Sequence, residues 1–381
     1  MKKIITIVFL SFISVTILGC NEVMTNPYEE YCELTDTDGV YVCEKTSTSY
    51  FDTTILLKIY YTENDSYQVN DIFDYFLDTL ETYHQLFDKY NEYEDINNVY
   101  SINQLNLDEK LVLDDILFEA IEYALDNQDL VVAEDTELFN IALNPVLNVW
   151  HNARGSDLCD SNYELGILWC PVPYDEINDI SFNTNSDDIV LDSDNQTISF
   201  VKADMGIDLG GFGKGYVSGV IADYLDELDI TYLLNAGNSN IIANNSNPTR
   251  DTGLYYIALI EPEVDFHIVN NYYQYIKIPE NISVVTSGNY QRYFKEIDTG
   301  DVYHHIIDPR TNYPGGDCMS VTVIYPDSAL ADIYSTAIYL LTVEEGLDFV
   351  NNTLELEAVW YGYDGKITYS NGFSVYDYDM I

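Results

Sequence analysis

Asp332 and Thr336 stand four residues apart in Ala331-Asp332-Ile333-Tyr334-Ser335-Thr336. On a helix that spacing places a carboxylate and a hydroxyl on one face. Two hard oxygen ligands suit Mg²⁺, which keeps several waters and shares substrate phosphates. A first-turn Asp facing the helix dipole beside an ordinary Thr is the plainer alternative. A second group is Tyr303-His304-His305-Ile306-Ile307-Asp308-Pro309-Arg310-Thr311. Pro309 enforces a turn after a strand and leaves His305, Asp308 and Arg310 at its end. A histidine with a near-neutral pKa can take a proton from a hydroxyl nucleophile; a polar strand end with Asp308 and Arg310 paired is the alternative. A third group, Asp208-Leu209-Gly210-Gly211-Phe212-Gly213-Lys214-Gly215-Tyr216, opens a helix. Its glycines admit close approach of backbone to a ligand. The amides of the helix N-terminus favour a phosphate there, and Lys214 adds a cation. The spacing matches neither a Walker A loop nor GxGxxG, and a tight strand-to-helix turn fits it equally well. Leu234-Asn235-Ala236-Gly237-Asn238 reads as a strand end and turn, and Thr286–Phe294 as a hydroxyl-rich turn entering a strand.

The elements that must position these groups follow from periodicity. Apolar residues at helical spacing predict helices over residues 71–90 and 110–127, and a third over 137–152. From there strands dominate: 197–201, 232–235, 255–260, 272–278, 283–286, 302–307 and 320–325, after an early strand at 54–61. Helices at 215–228 and 329–341 interrupt them. No internal repeat and no Pro/Gly/Ser-rich linker divides the chain after residue 50. The expected fold class is α+β: a single catalytic domain over residues 51–381, with antiparallel-rich sheets and packed helices.

The ordered series DLGGFGKGY, LLNAGN, TSGNYQRYF, HIIDPRTNYP and ADIYST closely resembles the ApbE family of FAD:protein FMN transferases. The likeness begins weakly near Leu86-Phe87-Asp88, continues through Asn144–Trp150 and runs to about residue 350. It implies the ApbE-like (T-fold-like) fold. It also implies Mg²⁺ held by Asp332 and Thr336, with a backbone carbonyl from the glycine loop placed at Gly213. FAD would be the substrate, held by Asp208, Gly210, Gly211 and Lys214, by Asn235, Ala236 and Gly237, and by Asp308. His305 would be the base for the accepting hydroxyl. The reaction implied is transfer of FMN to a Ser or Thr of an acceptor flavoprotein, forming a phosphoester and releasing AMP. A Mg²⁺-dependent FAD pyrophosphatase and a non-catalytic FAD-binding lipoprotein are the competing expectations. Three departures from the family pattern stand out: Asn238-Ser239-Asn240 after the NAG turn, Glu137-Leu138-Phe139-Asn140 for GAFD, and Asn312 for the glycine after Arg-Thr.

The ends and composition bound the compartment. Met1-Lys2-Lys3, the apolar run Ile4–Leu18 and Leu18-Gly19-Cys20 read as a lipoprotein signal peptide over residues 1–19. Residues 20–50 would then be a lipidated tether with an entry hairpin. Acyl chains on Cys20 would fix the protein outside the cytoplasm on the bacterial cell membrane. A net charge of −50 repels phosphate backbones, so nucleic acid is not expected as a partner. Hydrophobic residues at 47% supply a core and argue against disorder. In an exported chain Cys32–Cys43 and Cys159–Cys170 could close short loops and leave Cys318 free, although spacing alone does not fix the pairing. Changing Cys20 to Ala should abolish lipidation and release the protein from membranes; normal processing and membrane retention of that variant would refute the anchor.

Overall fold

The computed structural model describes residues 31–378, apart from 38, 63–64, 66, 160–166, 263–270 and 280. Cys20 and the signal segment lie outside the described residues. The centre is a nine-stranded sheet: β1 (Cys32–Leu34), β2 (Val40–Ser47), β3 (Ile55–Thr62), β4 (Thr231–Ala236), β5 (Asn240–Ala243), β6 (Ile282–Gly288), β7 (Ser320–Tyr325), β8 (Glu357–Tyr361) and β9 (Ile367–Tyr369). Strand order in space follows strand order in the chain, and every neighbouring pair is antiparallel. The α+β class expected from the sequence is the class observed. The hairpin β1–β2 joins this sheet, so the folded unit reaches further toward the N-terminus than a boundary at residue 51. Cys32–Cys43 links β1 to β2, Cys159–Cys170 closes a second loop, and Cys318 is a buried free thiol.

The chain leaves the sheet between strands to build its two faces. Between β3 and β4 come α1 (Val69–Phe87), α2 (Asp115–Asp126), α3 (Asn144–Arg154) and α4 (Gly213–Glu227); α5 (Ser328–Tyr339) follows β7. In α1, Val69, Ile72, Phe73, Phe76, Leu80 and Tyr83 recur at three- and four-residue spacing and are buried. They pack on alternate residues of β3 and β4, such as Leu57, Ile59, Tyr232 and Leu234. The other face of the sheet is covered by a hairpin of Tyr255–Ile260 and Tyr272–Ile278. Alternation divides single strands between the two cores: Val284 packs on the hairpin side and Val285 on the helical side.

Two elements differ from the sequence expectation. The third helix begins at Asn144 rather than 137, because Thr136–Glu137 pairs with Val132–Ala133 and Asn140 caps a short turn through Ala142 N–H. Pro145 explains the boundary: it fits the first helical turn but would break the ladder in a helix interior. The strand expected over 302–307 is divided. Val302–His304 pairs with Tyr293–Lys295, whereas Ile307–Asp308 pairs with Tyr313–Pro314. His305 sits at the break, its backbone N–H donating to Arg292 O.

Helices α4 and α5 meet at Gly215. A Cβ built there would collide with the Ser328 carbonyl and lie 2.6 Å from Asp332 Cβ. Gly215→Ala should force the helices apart and lower stability by ~1–3 kcal/mol, the usual range for overpacking. Thermal unfolding measures it, and an unchanged Tm would show that the contact yields freely.

Candidate active site

A cavity of about 500 Å³ opens on the helical side, within the size range of small-molecule sites. Its walls include the glycine turn before α4, the first part of α5, the end of β6 and the break at His305. Of the residues singled out from sequence, Asp208, Gly210, Gly211, Gly213, Lys214, Gly237, His305, Asp332 and Thr336 line it. Asn235, Ala236 and Asp308 do not. The Asn235 side chain is held inside its own turn, donating to Asn238 Oδ1 at 3.0 Å and accepting from Asn238 N–H at 2.9 Å. Asp308 is buried in a bidentate pair with Arg310, at 2.9 and 2.7 Å, and Arg310 also donates to Leu340 O. That pair pins the Pro309 turn and commits the Asp308 carboxylate to Arg310, away from the cavity lining.

Asp332 is 4% exposed. Its Oδ2 accepts the Gly215 backbone N–H at 2.9 Å. Burial raises its pKa, and Lys214, the Gly215 amide and Asn240 offset that only in part. A buried carboxylate in this condition calls for a cation. One turn along α5, Thr336 Oγ1 donates to Gly211 O at 3.1 Å. Gly211 therefore presents the loop carbonyl to Thr336, one helical turn from Asp332. Gly213 is the first residue of α4, and its carbonyl enters the helix's own hydrogen-bond ladder. The geometry thus favours Gly211 over Gly213 as the third oxygen. Among the described residues no three His, Cys, Asp or Glu side chains cluster as a metal site. A hard cation here would rest on one carboxylate and neutral oxygens, leaving positions open for phosphate oxygens and water.

His305 and His304 have opposite surroundings. His304 is buried against Tyr339, with ring centroids 5.7 Å apart, and burial pushes its pKa down to about 4. His305 is solvent-accessible where it faces the cavity. Its Nδ1 lies 3.2 Å from Arg292 O. A carbonyl can only accept, so Nδ1 carries the hydrogen and Nε2 keeps its lone pair. The protein packed around the ring lowers the His305 pKa first, and His304 when protonated, Arg292 and Lys214 lower it further. Each effect favours the neutral ring, the form that can accept a proton.

Sequence reasoning missed Lys89, Arg154 and Arg292, which also line the cavity. Lys89 pairs with Asp208 at 2.6 Å. Neither arginine has a hydrogen-bonded or ion-paired side-chain partner among the described residues; Asp52 is the acid whose charge Arg154 feels. The signal for all three was rarity, since the chain has 15 Lys and Arg against 65 Asp and Glu.

The sequence profile of the ApbE family matches residues 51–360. The chain belongs to the ApbE family. Its fold matches the ApbE protein of Thermotoga maritima with a TM-score of 0.70 at 22% identity, covering 89% of this chain and all of that one. The flavin transferase ApbE of Vibrio cholerae gives 0.69 at 21%, covering 88% and 99%. The FAD:protein FMN transferase of Klebsiella pneumoniae is 28% identical over 228 residues, 58% of this chain and 62% of that protein. That of Escherichia coli K12 is 31% identical over 149 residues, 39% and 40% of the two chains. The match thus spans less than two thirds of the length of these curated relatives. All the cavity residues discussed here fall within the range matched by the ApbE profile.

The enclosure of His305 makes a measurable claim. In an NMR titration its imidazole should remain neutral as the pH falls through 6.5, the ordinary histidine value, and protonate only below it. The neutral ring should show the Nδ1–H tautomer. Titration at or above 6.5 would place His305 in a solvent-like setting.

Proposed function

We propose that this chain is a FAD:protein FMN transferase. The observation that carries the reading is the convergence of His305, Lys214 and the Asp332–Thr336–Gly211 oxygens on one cavity. Mg²⁺, when bound by Asp332, Thr336 and the Gly211 carbonyl, would supply charge neutralisation on the FAD pyrophosphate. Lys214 adds a fixed positive charge beside it, and Gly210 and Gly211 let the loop backbone approach the phosphates. The Ser or Thr hydroxyl of an acceptor protein loses its proton to His305 Nε2. Its oxygen bonds to the phosphorus on the FMN side, the bond from that phosphorus to the AMP oxygen breaks, and AMP leaves. The tautomer set by Arg292 O keeps Nε2 free for that proton.

Charge distribution supports the reading. The protein's net charge of −50 opposes an anionic dinucleotide, while Lys214, Arg154 and Arg292 gather positive charge along the cleft. Two disulfides fit an exported domain. No helix among the described residues is long and apolar enough to cross a membrane. Attachment through a lipidated Cys20 is the proposed means of holding the domain outside the cell membrane.

Incubation with FAD, Mg²⁺ and a Ser/Thr acceptor should yield AMP and an acceptor heavier by one FMN moiety. AMP with free FMN and no mass gain would instead mark a FAD pyrophosphatase, with water taking the place of the hydroxyl. Asp332→Ala should abolish turnover, and Thr336→Ala should weaken it less, since a neutral hydroxyl contributes less charge. His305→Ala should bind FAD yet transfer FMN ~10²–10⁴-fold more slowly. Full activity in Asp332→Ala would move the cation elsewhere.

A further inference from the structure

Lys89 is a cation in the cleft with no donor left over. Its Nζ lies 2.6 Å from Asp208 Oδ2, 3.0 Å from Asn144 Oδ1 and 3.2 Å from Asn148 Oδ1. An ammonium has three N–H donors, and these three acceptors match them one for one. Its side chain is 8% exposed, so solvent competes little for it. A phosphate could recruit this lysine only by breaking a buried ion pair. That separates Lys89 from Lys214, Arg154 and Arg292, which have no such partners.

What Lys89 holds is the glycine turn. The other oxygen of Asp208, Oδ1, accepts the Gly210 N–H at 2.7 Å. The next residue, Gly211, presents its carbonyl to Thr336 Oγ1. Asp208 N–H donates to Ile141 O at 2.8 Å, which ties the turn to the segment just before α3. Lys89 follows α1 by two residues, and Asn144 and Asn148 stand one turn apart on α3. One ammonium therefore locks two helices to the loop that carries a proposed metal-binding carbonyl.

We propose that Lys89 is a positioning residue for the cation site: through Asp208 it fixes the Gly210–Gly211 turn, and so the direction of the Gly211 carbonyl. The inference rests on the Asp332–Thr336–Gly211 reading of that site. Interactions that orient a metal's ligands typically alter affinity by ~10–100-fold when removed.

The test uses direct Mg²⁺ binding by calorimetry on the purified protein, besides the Mg²⁺ concentration for half-maximal FAD cleavage. Lys89→Met should weaken Mg²⁺ binding by about 10-fold or more, within that range, while the KM for FAD at saturating Mg²⁺ moves much less. Because Lys89→Met leaves Asp208 buried without its partner, Lys89→Met/Asp208→Asn, which removes both charges, is read beside it. If the pair acts as one device, the double variant should stay folded by circular dichroism and show the same Mg²⁺ defect as Lys89→Met, not the sum of two. Mg²⁺ affinity at the wild-type level in the folded double variant would overturn the proposal. So would a Lys89→Met defect confined to the KM for FAD, which would make Lys89 a substrate contact. Should the wild-type protein bind Mg²⁺ but fail to cleave FAD, the functional reading falls while the binding comparison still decides the role of Lys89.

Discussion

A carboxylate sealed between two helices sets the terms for the rest of this protein. Asp332 lies on α5 where α4 crosses it, and the amide of Gly215 turns toward it across the gap. Only glycine at 215 lets the helices come this close. The helix N-terminus brings its partial positive charge to the same spot, and Lys214 adds a full one. These contributions do not neutralise the buried charge, and that residual demand makes the place receptive to a cation. The sheet beneath supplies rigidity: Ser287 on β6 meets Ser335 on α5 at 2.8 Å, fixing the helix against the strand.

The cleft shows how an acidic protein can handle an anionic ligand. Positive charge need not be abundant, only concentrated and uncancelled. Lys110 lies near Asp192 and Lys58 near Glu44 in exposed pairs far less consequential than their count implies. In the cavity, by contrast, each cation has a separate situation. Lys89 is saturated, Lys214 stands beside the carboxylate, and Arg154 and Arg292 repel one another. Strand Trp169–Cys170 runs parallel to Tyr293–Glu296, just after Arg292, and Cys170 is bridged to Cys159, just after Arg154. Arg154 and Arg292 are thus carried on segments joined by a disulfide and a strand pairing.

Much of this was legible in the chain itself. Sequence patterning placed Tyr255–Ile260, Tyr272–Ile278 and Ser320–Tyr325 with the bounds observed; the first two alternate because one face is in a core, while Ser320–Tyr325 is buried on both faces. Asp332, Thr336 and His305 stood out by residue type and motif, but their proposed roles came from the resemblance to the ApbE family and not from the residues alone. What escaped depended on distance along the chain. Nothing near Lys89 announces Asp208, which is over a hundred residues away. Asp308 and Asn235 show the opposite pattern: each bonds a neighbour a few residues off, and for Asp308 the sequence already offered the Arg310 pair as an alternative. The helix placed over residues 137–152 failed because apolar spacing outweighed Pro145, whose ring and missing N–H decide where such a helix can begin.

The two ends of the sheet are unlike its middle. A nine-stranded sheet that does not close has two borders, each lined with N–H and C=O groups that another polypeptide could pair with. The first border strand, β1, is three residues long, and Cys32 is opposite Cys43 in register, so a covalent bond coincides with a ladder position. Such a border cannot peel back to admit an intruding strand, and it is too short to template one. The other border, β9, is equally short. Brief borders, one of them stapled, discourage sheet-to-sheet polymerisation without any cover from a partner.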